Sequence, residues 1–167
     1  HRDAGDAHFK RGNLIAADED YSNAVQMLES TTVDGRPASQ SGEPAEDQML
    51  ATCLSCRAEC VLEMAEGKGV LPDGTPFASQ FDEEEHFQYF RKQALKQAEE
   101  SAEKACILYA DDKSLLHLGL ARMRLAESSD PLSWLRPDEA IDMMRDAGRC
   151  LQKSAKARPS ESAQRSL

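Results

Sequence analysis

Aromatic side chains are scarce in this sequence, at 5% of residues. β-Branched residues are sparse too, and the double shortage counts against sheet architecture. No apolar run approaches the roughly 20 residues that a membrane span requires. The first ten residues, HRDAGDAHFK, lack the apolar stretch of a secretory leader. They begin without methionine and almost inside a helical pattern, so the chain reads as a piece of a longer protein. Basic residues are outnumbered, 20 against 30 acidic, and the net charge of -10 argues against nucleic acid or an anionic membrane as partner. Also missing are a second Cys-x-x-C and a His-x-x-x-His. Cys53 and Cys56 make one Cys-x-x-C and Cys60 follows, but a zinc site needs about four ligands. On a helix the three thiols share one face. They are therefore read as small core or groove-lining residues, with no cofactor expected. The five cysteines are odd in number, which speaks against a disulfide scaffold and for reduced thiols in the cytosol or nucleus.

What is present is helical. Ala, Glu, Lys, Leu, Gln and Met dominate the periodic stretches, which sets an all-α expectation. The pattern predicts helices over 2–11, 15–28, 47–65, 82–109, 113–127 and 137–157. Gly12-Asn13 ends the first as a C-terminal glycine signal. Ala17, Tyr21, Ala24, Val25 and Leu28 mark one buried stripe on the second. The segment TTVDGRPASQSGEPAED, 31–47, reads as an exposed loop. A second loop, 66–81, turns at Pro72-Asp73-Gly74. The acids of 82–85 suit the positive end of the next helix, and Asp111 and Asp112 can cap the one after. Trp134 is expected to be a packing anchor between the last two helices. Pro137 suits a first helical turn.

Six helices joined this way form three hairpins, and helices that cross closely need small residues at the crossing. The opening stretch AGDAHFKRGNLIAADEDYSNAVQML has them in a regular order. It resembles a tetratricopeptide repeat, a helix pair of about 34 residues. Gly5, Ala17 and Ala24 take the family's small positions and Tyr21 its aromatic one, while His8 stands where tyrosine is usual. LSCRAECVLEM resembles the first helix of a second repeat, with Ala58 at the close contact and Ala98 and Ala105 on the partner helix. Against the family spacing, this hairpin carries an insertion of about 28 residues. DKSLLHLGLARMRL and DEAIDMMRDAGRCL complete a third repeat, with Gly119, Ala140 and Ala147.

The resemblance implies one domain over 1–167, a right-handed solenoid of three stacked hairpins with long inserted loops and an extended last helix. Repeat one covers about 1–30, repeat two 48–111, repeat three 112–157, and a tail runs over 158–167. Three such repeats resemble the clamp domains of heat-shock cochaperones. Those hold the C-terminal Glu-Glu-Val-Asp tail of chaperones such as heat-shock protein 90 or 70 in a concave groove. The family's five clamp positions fall here on Arg2, Asp6, Cys56, Lys113 and His117. Arg2 and Lys113 keep a positive charge, and His117 gains one below its ordinary pKa of about 6.5. Asp6 reverses the sign and Cys56 replaces an asparagine, so the clamp is degenerate. The expectation is a non-enzymatic, cytoplasmic interaction scaffold of cochaperone type. The alternative is an adaptor retuned to a neutral or basic protein ligand.

Overall fold

Six α-helices make up most of the described chain: α1 (Arg2–Lys10), α2 (Leu14–Ser30), α3 (Pro44–Ala65), α4 (Glu84–Leu108), α5 (Asp112–Glu127) and α6 (Pro137–Ala157). The structure is a computed structural model and describes residues 1–30, 32–33, 36–37, 44–127 and 137–157. Trp134, the tail 158–167 and the side chain of Ala140 lie outside the described residues. No described helix is long and apolar enough to cross a membrane.

The largest departures from the expected boundaries lie between α2 and α3. The segment 31–47 was expected to be loop throughout. Instead β1 (Thr32–Val33) pairs antiparallel with β2 (Arg36–Pro37), and α3 already starts at Pro44. The reason for the early start is local. Proline fits a first helical turn, and Glu46 and Asp47 place negative charge at the positive helix end.

Hydrogen bonds cap several other helix ends. At α1, Gly12 adopts φ +76°, its N–H donates to the Phe9 carbonyl at 2.9 Å, and Asn13 N–H reaches the His8 carbonyl at 3.1 Å. This left-handed exit satisfies carbonyls that the helix leaves unpaired. α3 ends the same way, through Gly67 to Met64 and Lys68 to Glu63. At α5, Asp111 Oδ1 accepts from Ser114 N–H at 2.7 Å, while Ser114 Oγ accepts from Asp111 N–H at 3.1 Å. Each side chain thus caps the other residue's backbone.

Consecutive helices pack on one another along the chain, and α3 also touches α5. The small residues sit at these contacts. Ala17, Ala58, Ala98 and Ala105 are fully buried, and Ala24 and Ala147 nearly so. A Cβ on Gly5 would lie 2.7 Å from Tyr21 Cε1, so only glycine lets α1 rest on that ring. The central core joins Leu14, Ala17 and Tyr21 of α2 to Val61 and Met64 of α3, Leu95 and Ala98 of α4, and Leu125 of α5. The long last helix is tied back where Ser154 Oγ donates to the Asp112 carbonyl at 2.7 Å.

The loop 66–81 is docked rather than free. Val70 N–H donates to the Gly12 carbonyl at 2.8 Å, joining the loop to the α1–α2 turn. The expected turn is there, with Asp73 Oδ1 accepting from Thr75 N–H at 3.0 Å. A short 3-10 helix (Phe77–Gln80) closes the loop and buries Phe77 in the core.

Candidate functional site

Helical spacing puts one set of polar side chains on a common surface. On α1, Arg2, Asp6, Phe9 and Lys10 fall on one face; on α3, Thr52, Ser55, Cys56 and Glu59 do the same. Asp111 and Lys113 arrive from the start of α5, and Tyr21 closes the floor from α2. Together these residues line a cavity of about 370 Å3.

The structure therefore brings Arg2, Asp6, Cys56 and Lys113 around one space, from three separate helices. Lys10 and Glu59 belong to it as well, and sequence reasoning missed both. Their signal was the periodicity itself, since each lies three or four residues from an expected site residue or from a neighbour on the same face.

Charges around the cavity are balanced in number but not in engagement. Asp6 accepts the Tyr21 hydroxyl at 2.8 Å, and Asp111 is occupied in capping α5. Glu59 Oε2 stands 4.0 Å from His117 Nε2. Arg2, Lys10 and Lys113 have no ion-pair partner among the described residues. Three cations are thus available, while two of the three acids already accept hydrogen bonds.

Burial sets the chemistry of the thiols. It pushes Cys56 up to about 11, and the nearby Asp6 charge adds to this. Cys60 is pushed up to about 12, again chiefly by burial, and its thiol donates to the Leu14 carbonyl at 3.0 Å. Cys53 is buried among α2, α3 and α4, which raises it also. At neutral pH these groups are thiols, which neither attract a carboxylate nor act as nucleophiles. Among the described residues, no three or more His, Cys, Asp or Glu are grouped to hold a metal ion.

His117 does not join the other four. It was expected to point into the groove as a conditional cation. Instead it is 5% exposed, with Nδ1 hydrogen-bonded to Ser55 Oγ at 3.2 Å. It lines a separate cavity of about 200 Å3 with Glu59, Glu63, Glu66 and Arg124. Burial lowers its pKa against the opposing pull of Glu59, so the ring is neutral at pH 7.

The sign of the consequence follows. The unfolded chain protonates this histidine near pH 6.5 while the folded chain resists, so the unfolded state binds more protons below that pH. Stability should fall as pH drops through about 6.5. Thermal melting at pH 7.5 and 5.5, compared between the parent chain and His117→Gln, isolates the contribution. The parent should lose more melting temperature on acidification than the variant. An equal loss in both would mean that the ring is not buried neutral.

No protein-family model, curated protein or solved structure matches the chain.

Proposed function

We propose that the chain is a tetratricopeptide-type interaction scaffold of the cochaperone kind, working in the cytoplasm. In this reading α1, α3 and α5 line the concave side of a right-handed three-repeat solenoid. The cavity between them takes the terminal carboxylates of an extended peptide, such as the C-terminal tail of heat-shock protein 90 or 70. The observation that supports it best is the meeting of Arg2, Lys10 and Lys113, without ion-pair partners among the described residues, on a chain whose net charge is -10. Cations gathered against that average are suited to an acidic ligand. They would hold carboxylates by charge-assisted hydrogen bonds.

A second reading rests on a different feature of the same cavity. Asp6 and Glu59 face it too, and Tyr21 holds Asp6 in place. An adaptor retuned to a neutral or basic protein segment would use these carboxylates to pair a ligand cation.

Asp6→Asn separates the two. Asparagine keeps an oxygen for the Tyr21 hydroxyl, so the fold is preserved while the charge is removed. Titration with a labelled peptide ending in Glu-Glu-Val-Asp should show micromolar binding at low salt. The variant should tighten it roughly threefold to tenfold, since a like charge at the site is worth on the order of 1 kcal/mol. Added salt should weaken both. Absence of binding at low salt, or weaker binding by the variant, would end the cochaperone reading.

A further inference from the structure

A second cavity, of about 420 Å3, shares no residue with the first. It opens between the start of α2, the end of α3, the 3-10 turn and the middle of α4. Four of the chain's five phenylalanines gather here, with ring centroids of Phe77, Phe81, Phe87 and Phe90 spaced 5.2 to 6.4 Å apart. Phe77 is buried, but Phe81 and Phe90 stay partly open to the cavity together with Ile15. The cluster therefore does more than close the core beneath the loop, because it leaves aromatic faces lining an accessible hollow.

The rim is polar in one sense only. Asp18 and Glu19 are its two charged residues. Asp18 pairs with Arg57 at 3.0 Å, whereas Glu19 is exposed and has no ion-pair partner among the described residues. The acidic run of residues 82–85 follows Phe81 directly. No lysine or arginine lines the cavity among the described residues. Gln80, Gln93 and Gln97 complete the rim as exposed carboxamides, each able to donate to and accept from a peptide backbone.

We propose that this cavity docks a basic, extended segment of a partner protein. A large apolar side chain of that segment seats against Phe81 and Phe90. Flanking lysines or arginines lie against Glu19 and the acids of 82–85, and the three glutamines hold the backbone. Charge selects this occupant over the others. A second copy of the chain would bring -10 of its own against an acidic rim, and an acidic tail would be repelled in the same way. A basic segment is steered in by the same field.

The test is calorimetric titration of the full chain with Lys-Lys-Leu-Phe-Lys-Lys, compared with Ser-Ser-Leu-Phe-Ser-Ser and Lys-Lys-Ser-Ser-Lys-Lys, all as C-terminal amides. The first peptide should bind in the range of tens of micromolar, and each control about tenfold or more weaker, because each removes one of the two recognition elements. Glu19→Lys and Phe81→Ala should each weaken the first peptide about fivefold or more. Glu19 is a surface residue, so that variant remains informative should Phe81→Ala disturb the fold. The proposal is overturned by equal binding of the uncharged Ser-Ser-Leu-Phe-Ser-Ser peptide, by no binding of the first peptide at about 1 mM, or by indifference to both variants. Concentration-dependent dimers that Phe81→Ala dissolves would also overturn it, by making a second copy the occupant.

Discussion

Lys113→Glu should weaken the Glu-Glu-Val-Asp peptide about 30-fold, equivalent to about 2 kcal/mol, from the loss of one attraction and the gain of one repulsion of about 1 kcal/mol each. Two effects act together. The variant deletes one of three cations without ion-pair partners among the described residues, and it adds a carboxylate to a cavity already holding Asp6, Glu59 and Asp111. Stability should not fall with affinity. Lys113 is exposed in the first turn of α5, where the helix dipole disfavours a positive charge and favours a negative one. The melting temperature should therefore hold or rise slightly while binding is lost, a combination that general unfolding cannot produce. Arg2→Glu, placed on a different helix around the same cavity, should repeat the loss. Unchanged affinity in both variants would remove the cavity from the account of ligand binding. A gain in affinity for basic peptides would favour the retuned adaptor.

The features legible in the sequence were those set by near neighbours along the chain. A close helix crossing depends on the size of single residues at regular spacing, so Gly5, Ala17, Ala24, Ala58, Ala98, Ala105, Gly119 and Ala147 could be marked in advance, and all are buried. The likeness to clamp domains had singled out Arg2, Asp6, Cys56 and Lys113, and these four line one cavity. His117 escaped because its environment is set by how closely α5 lies to Ser55 on α3, which no pattern within α5 encodes. The docking of loop 66–81 escaped for a related reason. The bond from Val70 N–H to the Gly12 carbonyl joins two backbone groups, which every residue but proline offers equally. Composition could say that the segment is a loop, but not what it rests on. The early start of α3 had a local signal in Pro44, Glu46 and Asp47, which the surrounding Gly, Ser and Pro content outweighed.

Gly119→Val should lower the melting temperature by about 6 to 12 °C, from a cost of about 3 kcal/mol at 2 to 4 °C per kcal/mol for a chain of this size. A Cβ at this position would lie 2.7 Å from Leu151 Cγ and 3.1 Å from the Ala147 carbonyl oxygen. The leucine can turn aside, but the carbonyl belongs to the backbone of α6, so α6 itself must draw away from α5. Valine adds two methyls at the same crossing. It also carries only part of the helix-propensity gain that alanine would give over glycine, at most about 1 kcal/mol. A control sits on the facing helix. A Cβ on Gly148 of α6 would meet nothing within 4 Å, so Gly148→Ala should raise stability by about 0.5 to 1 kcal/mol through backbone entropy alone. Opposite shifts at two glycines in packed neighbouring helices would locate the α5–α6 crossing at Gly119. Parallel shifts would place the two backbones farther apart and take the small-residue account of this fold with them. Binding adds a second measure, since Lys113 lies under two turns before Gly119 on α5. Because α6 is the helix that draws away, Lys113 should stay beside Arg2, and peptide affinity should hold while the melting temperature falls.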